Sequence, residues 1–294
     1  MSGQEWIWSV SAAVLLLLAL LALWRSARRR RSRLPALLPA PAPARVFVVR
    51  KRQSTRHPIV LAHGWGCIDR VLPMQLGYSS FRDIPAALRA SGHEVHVARV
   101  APAASIERRA SQLAQQIAAL DGRVNIIAHS MGGLDARLAI AKHGIAERVA
   151  SLTTIATPHH GTPLADVTLA LGEFRRARDF VRRFGLDMDG VYDLSTARMR
   201  AFNAQVPDAD GVLYANVLGE VERAAVHVML SGPHRFLLRA AGPNDGVVPA
   251  HSQQWGETLE VVAADHWAQV GWFGSFDARA FYTRLAGLLV QRDL

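Results

Sequence analysis

Ser130, Asp245 and His266 are the residues on which chemistry could rest. A serine hydroxyl is a poor nucleophile until a base takes its proton. An imidazole serves as that base when a third group fixes its tautomer. The mostly apolar run Val124-Asn125-Ile126-Ile127-Ala128 reads as a buried strand. It runs straight into His129-Ser130-Met131-Gly132-Gly133, and helical spacing begins at once. The chain must reverse there with almost no loop, and Gly132 and Gly133 let backbone pass close to the turn. This is the strand-turn-helix setting of a G-x-S-x-G nucleophile elbow, with Ala128 in place of the first glycine. Such a turn would hold Ser130 Oγ clear of the sheet, at a helix N-terminus that favours developing negative charge. A serine that merely caps a helix is the plainer reading. It leaves the two following glycines without a purpose.

The partners of Ser130 must lie at strand C-terminal ends, because those ends share one edge of a sheet. Four such ends are rich in polar residues: 63–66, 129–133, 244–246 and 265–267. Chain order chooses among them. Nucleophile, then acid, then base is the order that accompanies an elbow, and it selects Ser130, Asp245 and His266. Asp245 precedes Gly246, so an Asx turn is its bland alternative. Asp265 is the rival acid, but a residue adjacent to His266 points elsewhere. His129 and His63 read as buried, hydrogen-bonded side chains. Charge on a carbonyl oxygen under attack calls for backbone N–H groups, and Met131 and Trp65 are best placed to supply them. Leu164, Val167, Val247 and Trp267, with the Trp65 indole, are candidates to line an acyl pocket. His159 and His160 have no third ligand, and no glycine-rich phosphate loop is present, so no metal or cofactor is expected.

The elements around these residues alternate. Strands are expected at 59–62, 95–100, 124–128 and 149–155, and helices at 80–91, 105–120 and from the elbow to His143. That β-α-β-α-β-α-β order predicts an α/β fold, a mostly parallel sheet with helices on both faces. Residues 164–206 break the rhythm with helical pattern alone. They are either an ordinary packed excursion or a lid whose apolar face covers the site. A strand at 212–218, an insertion at 220–243, a last strand at 259–263 and a helix at about 277–290 complete the chain.

The net charge of +10 is misleading, because residues 1–56 hold eleven Lys or Arg and one acid. The remaining chain carries 23 basic and 23 acidic residues and is balanced. With no zinc-finger spacing or basic recognition helix, nucleic acid is not an expected partner. The single cysteine, Cys67, permits no intrachain disulfide. Trp6 to Trp24 contains no charged residue, and nineteen residues at 1.5 Å each reach about 28 Å. Arginines follow rather than precede it, so residues 1–33 read as an uncleaved anchor with a basic flank. That predicts a single-pass inner-membrane protein whose body lies on the cytoplasmic side, with export to the periplasm as the alternative. Residues 34–45, rich in Pro and Ala, read as a spacer, and 46–294 as the catalytic domain.

Taken together, these pieces resemble the bacterial triacylglycerol lipases of the α/β-hydrolase superfamily. The likeness rests on Pro58-Ile59-Val60-Leu61-Ala62-His63-Gly64, on the elbow 124–133, on Thr157-Pro158-His159-His160-Gly161, on Asn244-Asp245-Gly246-Val247-Val248 and on Asp265-His266. It implies an α/β-hydrolase fold, a Ser130–Asp245–His266 triad, and an oxyanion hole from the Trp65 and Met131 amides. It implies hydrolysis of carboxylic esters of glycerol or other lipophilic esters, beneath a helical lid at 164–206. There are departures. The lipases commonly hold a structural calcium through an aspartate two residues after the catalytic histidine, where Ala268 stands here. They commonly carry a disulfide, which one cysteine cannot make. Polyester depolymerases, thioesterases and phospholipase-like enzymes share the elbow and triad, and a non-catalytic binding member of the fold is the remaining alternative.

Overall fold

The computed structural model describes residues 54–66, 80–171, 179 and 189–294. The strands are β1 (Ile59–Ala62), β2 (Val95–Val97), β3 (Val124–His129), β4 (Val149–Ile155), β5 (Leu213–Gly219) and β6 (Glu257–Val262). They form one sheet in the order β2-β1-β3-β4-β5-β6, and every pairing is parallel. The helices are α1 (Ile84–Ala90), α2 (Ile106–Ala118), α3 (Met131–Lys142), α4 (Pro163–Ala170), α5 (Gly190–Asp193), α6 (Thr196–Gln205), α7 (Ser231–Ala240) and α8 (Ala278–Gln291).

Alternation along the strands sorts the core into two layers. Val60, Ala62, Val124, Ile126 and Ala128 face one side, where they meet Ile106, Leu113 and Ile117 of α2 and Leu134 of α3. Ile59, Leu61 and Ile127 face the other, against Ile84 and Leu88 of α1 and Phe281 and Leu285 of α8. Both faces of β1, β3 and β4 are covered, and their residues are buried throughout. This explains why β1 and β3 read as mostly apolar runs rather than alternating ones.

Local chemistry sets the boundaries. Ser105 caps α2 by accepting a hydrogen bond from the Arg108 backbone N–H, and Asp277 does the same for α8 from Ala280. α1 ends ahead of Gly92 and α3 ahead of Gly144, both with positive φ. The excursion between β4 and β5 contains α4, α5 and α6. Most of the lid segment expected between them, 172–178 and 180–188, lies outside the described residues. The insertion expected at 220–243 contains α7, an amphipathic helix that buries His234 and Leu237.

The expectation of a membrane-spanning element is corrected. So is the inner-membrane, single-pass placement with a cytoplasmic body that followed from it. Among the described residues no helix is long and apolar enough to cross a membrane. The longest of them, α8, has 14 residues and reaches about 21 Å, short of a hydrocarbon core of about 30 Å. The stretch 6–24 that prompted the expectation lies outside the described residues. The basic flank, the spacer at 34–45, a strand suggested at Val46–Arg50, and Cys67 lie outside them as well.

Phe281 tests the layer between β-sheet and α8. It is 1% exposed and packs edge-on against Tyr282. Phe281→Ala should cost about 3–5 kcal/mol, read as a lower urea midpoint with an unchanged slope.

Candidate active site

Ser130 follows β3 and precedes α3 with no residue between them, at φ 56° and ψ −134°. A non-glycine residue there is strained, and its surroundings must hold it. They do so from the two strands that flank β3. The Ser130 N–H donates to the Ile155 carbonyl at 2.9 Å, and Thr157 Oγ1 donates to the Ser130 carbonyl at 2.7 Å, so the end of β4 fixes both sides of the residue. The end of β1 closes the third side. A Cβ on Gly132 would lie 2.5 Å from the Ala62 carbonyl oxygen, and one on Gly64 would lie 2.7 Å from Ser130 Cβ. Glycine is required at both by close approach rather than by φ.

Parallel order then brings distant loops to this point. The β5 crossover and α7 lead to a tight turn at 244–249, where Asp245 is wholly buried. Its Oδ1 accepts from the backbone N–H groups of Val247 and Val248, at 2.9 and 2.7 Å. The Asx turn weighed against an acid role is therefore present, and it uses only one carboxylate oxygen. Oδ2 faces His266 Nδ1 at 2.7 Å. His266 Nε2 lies 3.0 Å from Ser130 Oγ. The backbone joins the pair again, with the His266 N–H donating to the Asp245 carbonyl at 2.9 Å. An imidazole held this way donates Nδ1–H to the carboxylate and presents Nε2 as an acceptor for the serine hydroxyl.

Asp265 is occupied elsewhere. Its Oδ1 accepts from the Trp267 and Ala268 amides, and its Oδ2 from the His227 amide. His129 is buried, with its ring tilted against that of His266 at 4.6 Å. Burial holds it well below the usual histidine range, and the neighbouring His266 adds to this. His63 is buried, with Nδ1 2.9 Å from the Gly64 carbonyl oxygen.

Met131 is the first residue of α3, directly after Ser130. Trp65 follows Gly64, the glycine pressed against Ser130. Its indole N–H donates to the Ala103 carbonyl at 3.3 Å, and the residue is 37% exposed. Of the four pocket candidates, Val247 and Trp267 pack together on Val221, Val226 and Leu230. Thr162 Oγ1 donates to the Val247 carbonyl and accepts from the Leu164 N–H, tying α4 to the acid turn. Val167 is exposed on α4.

Two groups escaped notice in the sequence. His227 stacks on Phe273 at 4.4 Å beside Trp267, forming an aromatic corner next to His266. Arg109 and Asp135 form a fully buried ion pair below the 63–66 loop. An arginine at 109 lies on the apolar face that Ile106, Leu113 and Ile117 define, and that misplaced charge was the available signal.

Residues 104–183 match the family described as the PGAP1-like alpha/beta domain. Triacylglycerol lipase 2 of Saccharomyces cerevisiae is 33% identical over 128 residues, 42% of this chain and 38% of that protein. A triacylglycerol lipase of Vibrio cholerae is 37% identical over 117 residues, 39% and 36% of the two chains. The matches thus span little more than a third of the length of these curated relatives. The crystal structure of the Bacillus licheniformis lipase BlEst2 in mature form aligns with a TM-score of 0.63 at 20% identity, covering 87% of this chain and 95% of that one. The chain is an α/β-hydrolase-fold, esterase/lipase-like protein, distantly related to bacterial and fungal lipases. In this hydrolase fold the sheet is wholly parallel among the described residues, so the strand C-termini carry all three site loops at one edge.

Buried neutral His129 gives a pH test. It must be able to charge in the unfolded chain near pH 6.5 but resists charging when folded. Its folded value is depressed, so its contribution is full above about pH 6.5 and is lost as pH falls. His129→Asn should flatten the acid side of the stability curve by up to about 1.4 kcal/mol per pH unit, measured as urea midpoints at pH 7, 6 and 5.

Proposed function

We propose that the protein is a serine carboxylic ester hydrolase acting on lipophilic esters through an acyl-enzyme. The observation that carries this is the continuous relay from Asp245 Oδ2 to His266 Nδ1 and from His266 Nε2 to Ser130 Oγ, at 2.7 and 3.0 Å. Ser130 Oγ attacks the ester carbonyl carbon while His266 Nε2 takes its proton. The carbonyl oxygen becomes an oxyanion, stabilised by the backbone N–H groups of Trp65 and Met131. Asp245 stabilises the imidazolium that forms. As the tetrahedral intermediate collapses, the ester C–O bond breaks and His266 gives its proton to the leaving alcohol. Water then enters, loses a proton to His266, and adds to the acyl carbon. A second collapse releases the carboxylic acid and restores Ser130.

Lipophilic acyl groups are favoured by the surroundings. Trp65 is part-exposed beside Ser130, Val247 and Trp267 flank the acid and the base, and Val167 and Leu171 are exposed on the excursion after β4. The excursion returns onto the oxyanion loop. A Cβ on Gly190 of α5 would lie 2.6 Å from the Trp65 ring. We assign the described part of this excursion, α4 to α6, the role of a cover over the site on this contact. Triacylglycerol lipases of yeast and Vibrio cholerae resemble part of the chain in sequence, which supports a lipophilic ester as substrate. The second reading is hydrolysis of another acyl bond, phospholipid or thioester, by the same relay. It is favoured by the match to a family with a description other than lipase over residues 104–183.

Hydrolysis of p-nitrophenyl esters from C2 to C16 by the full chain tests the proposal. Turnover should peak at C8 or longer. Ser130→Ala should lower kcat by at least about 1,000-fold and Asp245→Asn by about 10,000-fold, each with the wild-type fold by circular dichroism. Activity confined to C2–C4 would remove the lipophilic preference. Turnover that survives in Ser130→Ala would remove the serine mechanism.

A further inference from the structure

The guanidinium of Arg109 is 0% exposed and binds the backbone of two segments at once. Nη2 donates to the His63 carbonyl at 2.7 Å and to the Gly64 carbonyl at 3.3 Å. Nη1 donates to the Ala101 and Pro102 carbonyls at 2.8 and 3.3 Å. Nε donates to Asp135 Oδ2 at 2.8 Å, and Nη2 meets the same oxygen at 2.8 Å. Asp135 is in the second turn of α3, the helix that Ser130 begins.

Peptide planarity gives these contacts a consequence. The carbonyl of residue 64 and the N–H of residue 65 belong to one trans peptide, so they point in opposite directions. Arg109 Nη2 and His63 Nδ1 both engage the Gly64 carbonyl oxygen, at 3.3 and 2.9 Å, and so fix its direction. The Trp65 N–H is thereby aimed the opposite way. Rotation of that peptide would break both contacts and replace the N–H with a carbonyl dipole of the wrong sign. The 101–103 segment braces the loop further, because Pro102 also accepts from the Gly66 N–H and Ala103 from the Trp65 indole.

We propose that Arg109 and Asp135 are positioning residues that hold the 63–66 loop in the orientation in which the Trp65 N–H stabilises the oxyanion, and that they tie this loop to the nucleophile helix. The inference rests on the reading of Ser130 as nucleophile and Trp65 as oxyanion donor. Arg109 supplies a planar fork that reaches four carbonyls and a carboxylate together; a lysine ammonium is a single point of charge and cannot. Asp135 balances the buried charge and sets the plane of the fork through Nε and Nη2. Its other oxygen takes no hydrogen bond among the described residues, so Arg109 is the partner that orients it.

The test uses the full chain with p-nitrophenyl octanoate and an alkyl trifluoromethyl ketone, which adds to an active serine as a charged tetrahedral adduct. Arg109→Lys should lower kcat by about 100-fold with KM within about threefold. Its affinity for the ketone should fall by the same factor as kcat. Asp135→Asn keeps an oxygen for Nε but removes the charge. It should lower kcat and ketone affinity by about 10-fold, again with little change in KM. If Arg109→Lys does not fold, Asp135→Asn decides by the same pair of readings. Variants that fold and keep wild-type kcat and ketone affinity overturn the inference, as does a loss carried by KM alone. Ser130→Ala separates the two levels. If it is inactive while Arg109→Lys and Asp135→Asn turn over normally, only this inference fails; if it stays active, the serine mechanism fails and this inference with it.

Discussion

The backbone of Ser130 is the constraint from which the rest of the site follows. A residue with a side chain stands at φ 56° between a strand and a helix with no linking residue. Such a conformation costs about 1–3 kcal/mol and persists only where neighbours over-determine it. The neighbours are the ends of the two strands that flank β3. β4 holds the Ser130 amide and carbonyl, and β1 ends in backbone that passes so close that Gly64 and Gly132 tolerate no Cβ. The strand order β1-β3-β4 is thus part of the elbow, not merely its setting. A slip of β1 along β3 would remove the contact that shapes the loop at 63–66.

The same constraint explains where the other two groups come from. The two edges adjoining β3 are filled by β1 and β4, so acid and base must arrive from strands further along the sheet. β5 and β6 provide the loops, and the acid loop is locked by side chains that do no chemistry. Gln253 accepts from the Gly219 N–H at 2.6 Å and donates to the Gly219 and Val248 carbonyls. Asn244 Oδ1 accepts from the Gly246 N–H. Asp245 is therefore fixed by backbone donors on one oxygen, which leaves the other with one direction in which to meet an imidazole. A buried carboxylate without those donors would pay a larger desolvation penalty for its charge.

What was legible in the sequence was what periodicity and local chemistry govern. Strand β4 was expected at Val149–Ile155 and is found there, because every residue in it is buried and both ends are marked. Ser105 as a cap and Gly144 as a stop were legible for the same local reason. The fold class followed from the alternation of elements. The meeting of Ser130, Asp245 and His266 could be suggested by chain order, but the 3.0 Å approach of serine and imidazole depends on sheet order, which no local pattern encodes. In the sequence Gly64 belongs only to the polar strand end 63–66; its contact with Ser130 is a tertiary fact. Arg109 and Asp135 were hidden because they are 26 residues apart and each sits on a helix face that otherwise reads as apolar or neutral. The membrane expectation drew on a composition pattern at the N-terminal end, and the described helices contain nothing that bears it out.

Helix α3 shows why buried charge accompanies the nucleophile. Ten consecutive residues, Met131 to Ile140, are buried, so the helix has no polar face to give its charged residues to water. Asp135 and Arg137 must be satisfied inside, and they point to different neighbours. Asp135 meets Arg109 on the side of β1, and burial outweighs that partner enough to raise its carboxyl to about 6. Arg137 meets no carboxylate at hydrogen-bond distance among the described residues. It stacks on the Trp255 ring at 3.4 Å and donates to Asn203 Oδ1 and the Val206 carbonyl, and burial lowers it to about 10. The guanidinium stays charged at neutral pH under these conditions, so its counterpart must be the ring and the dipoles of the β4–α6 side. The His159 ring beside it is held neutral by burial and by that charge. Both cations thus bolt α3 to flanking elements, one to the 63–66 loop after β1 and one to the excursion after β4. A helix fixed on two sides by groups that cannot be left unpaired has little freedom to rotate. That rigidity is what a strained serine at its first turn requires, and it is supplied by electrostatics the apolar core could not provide.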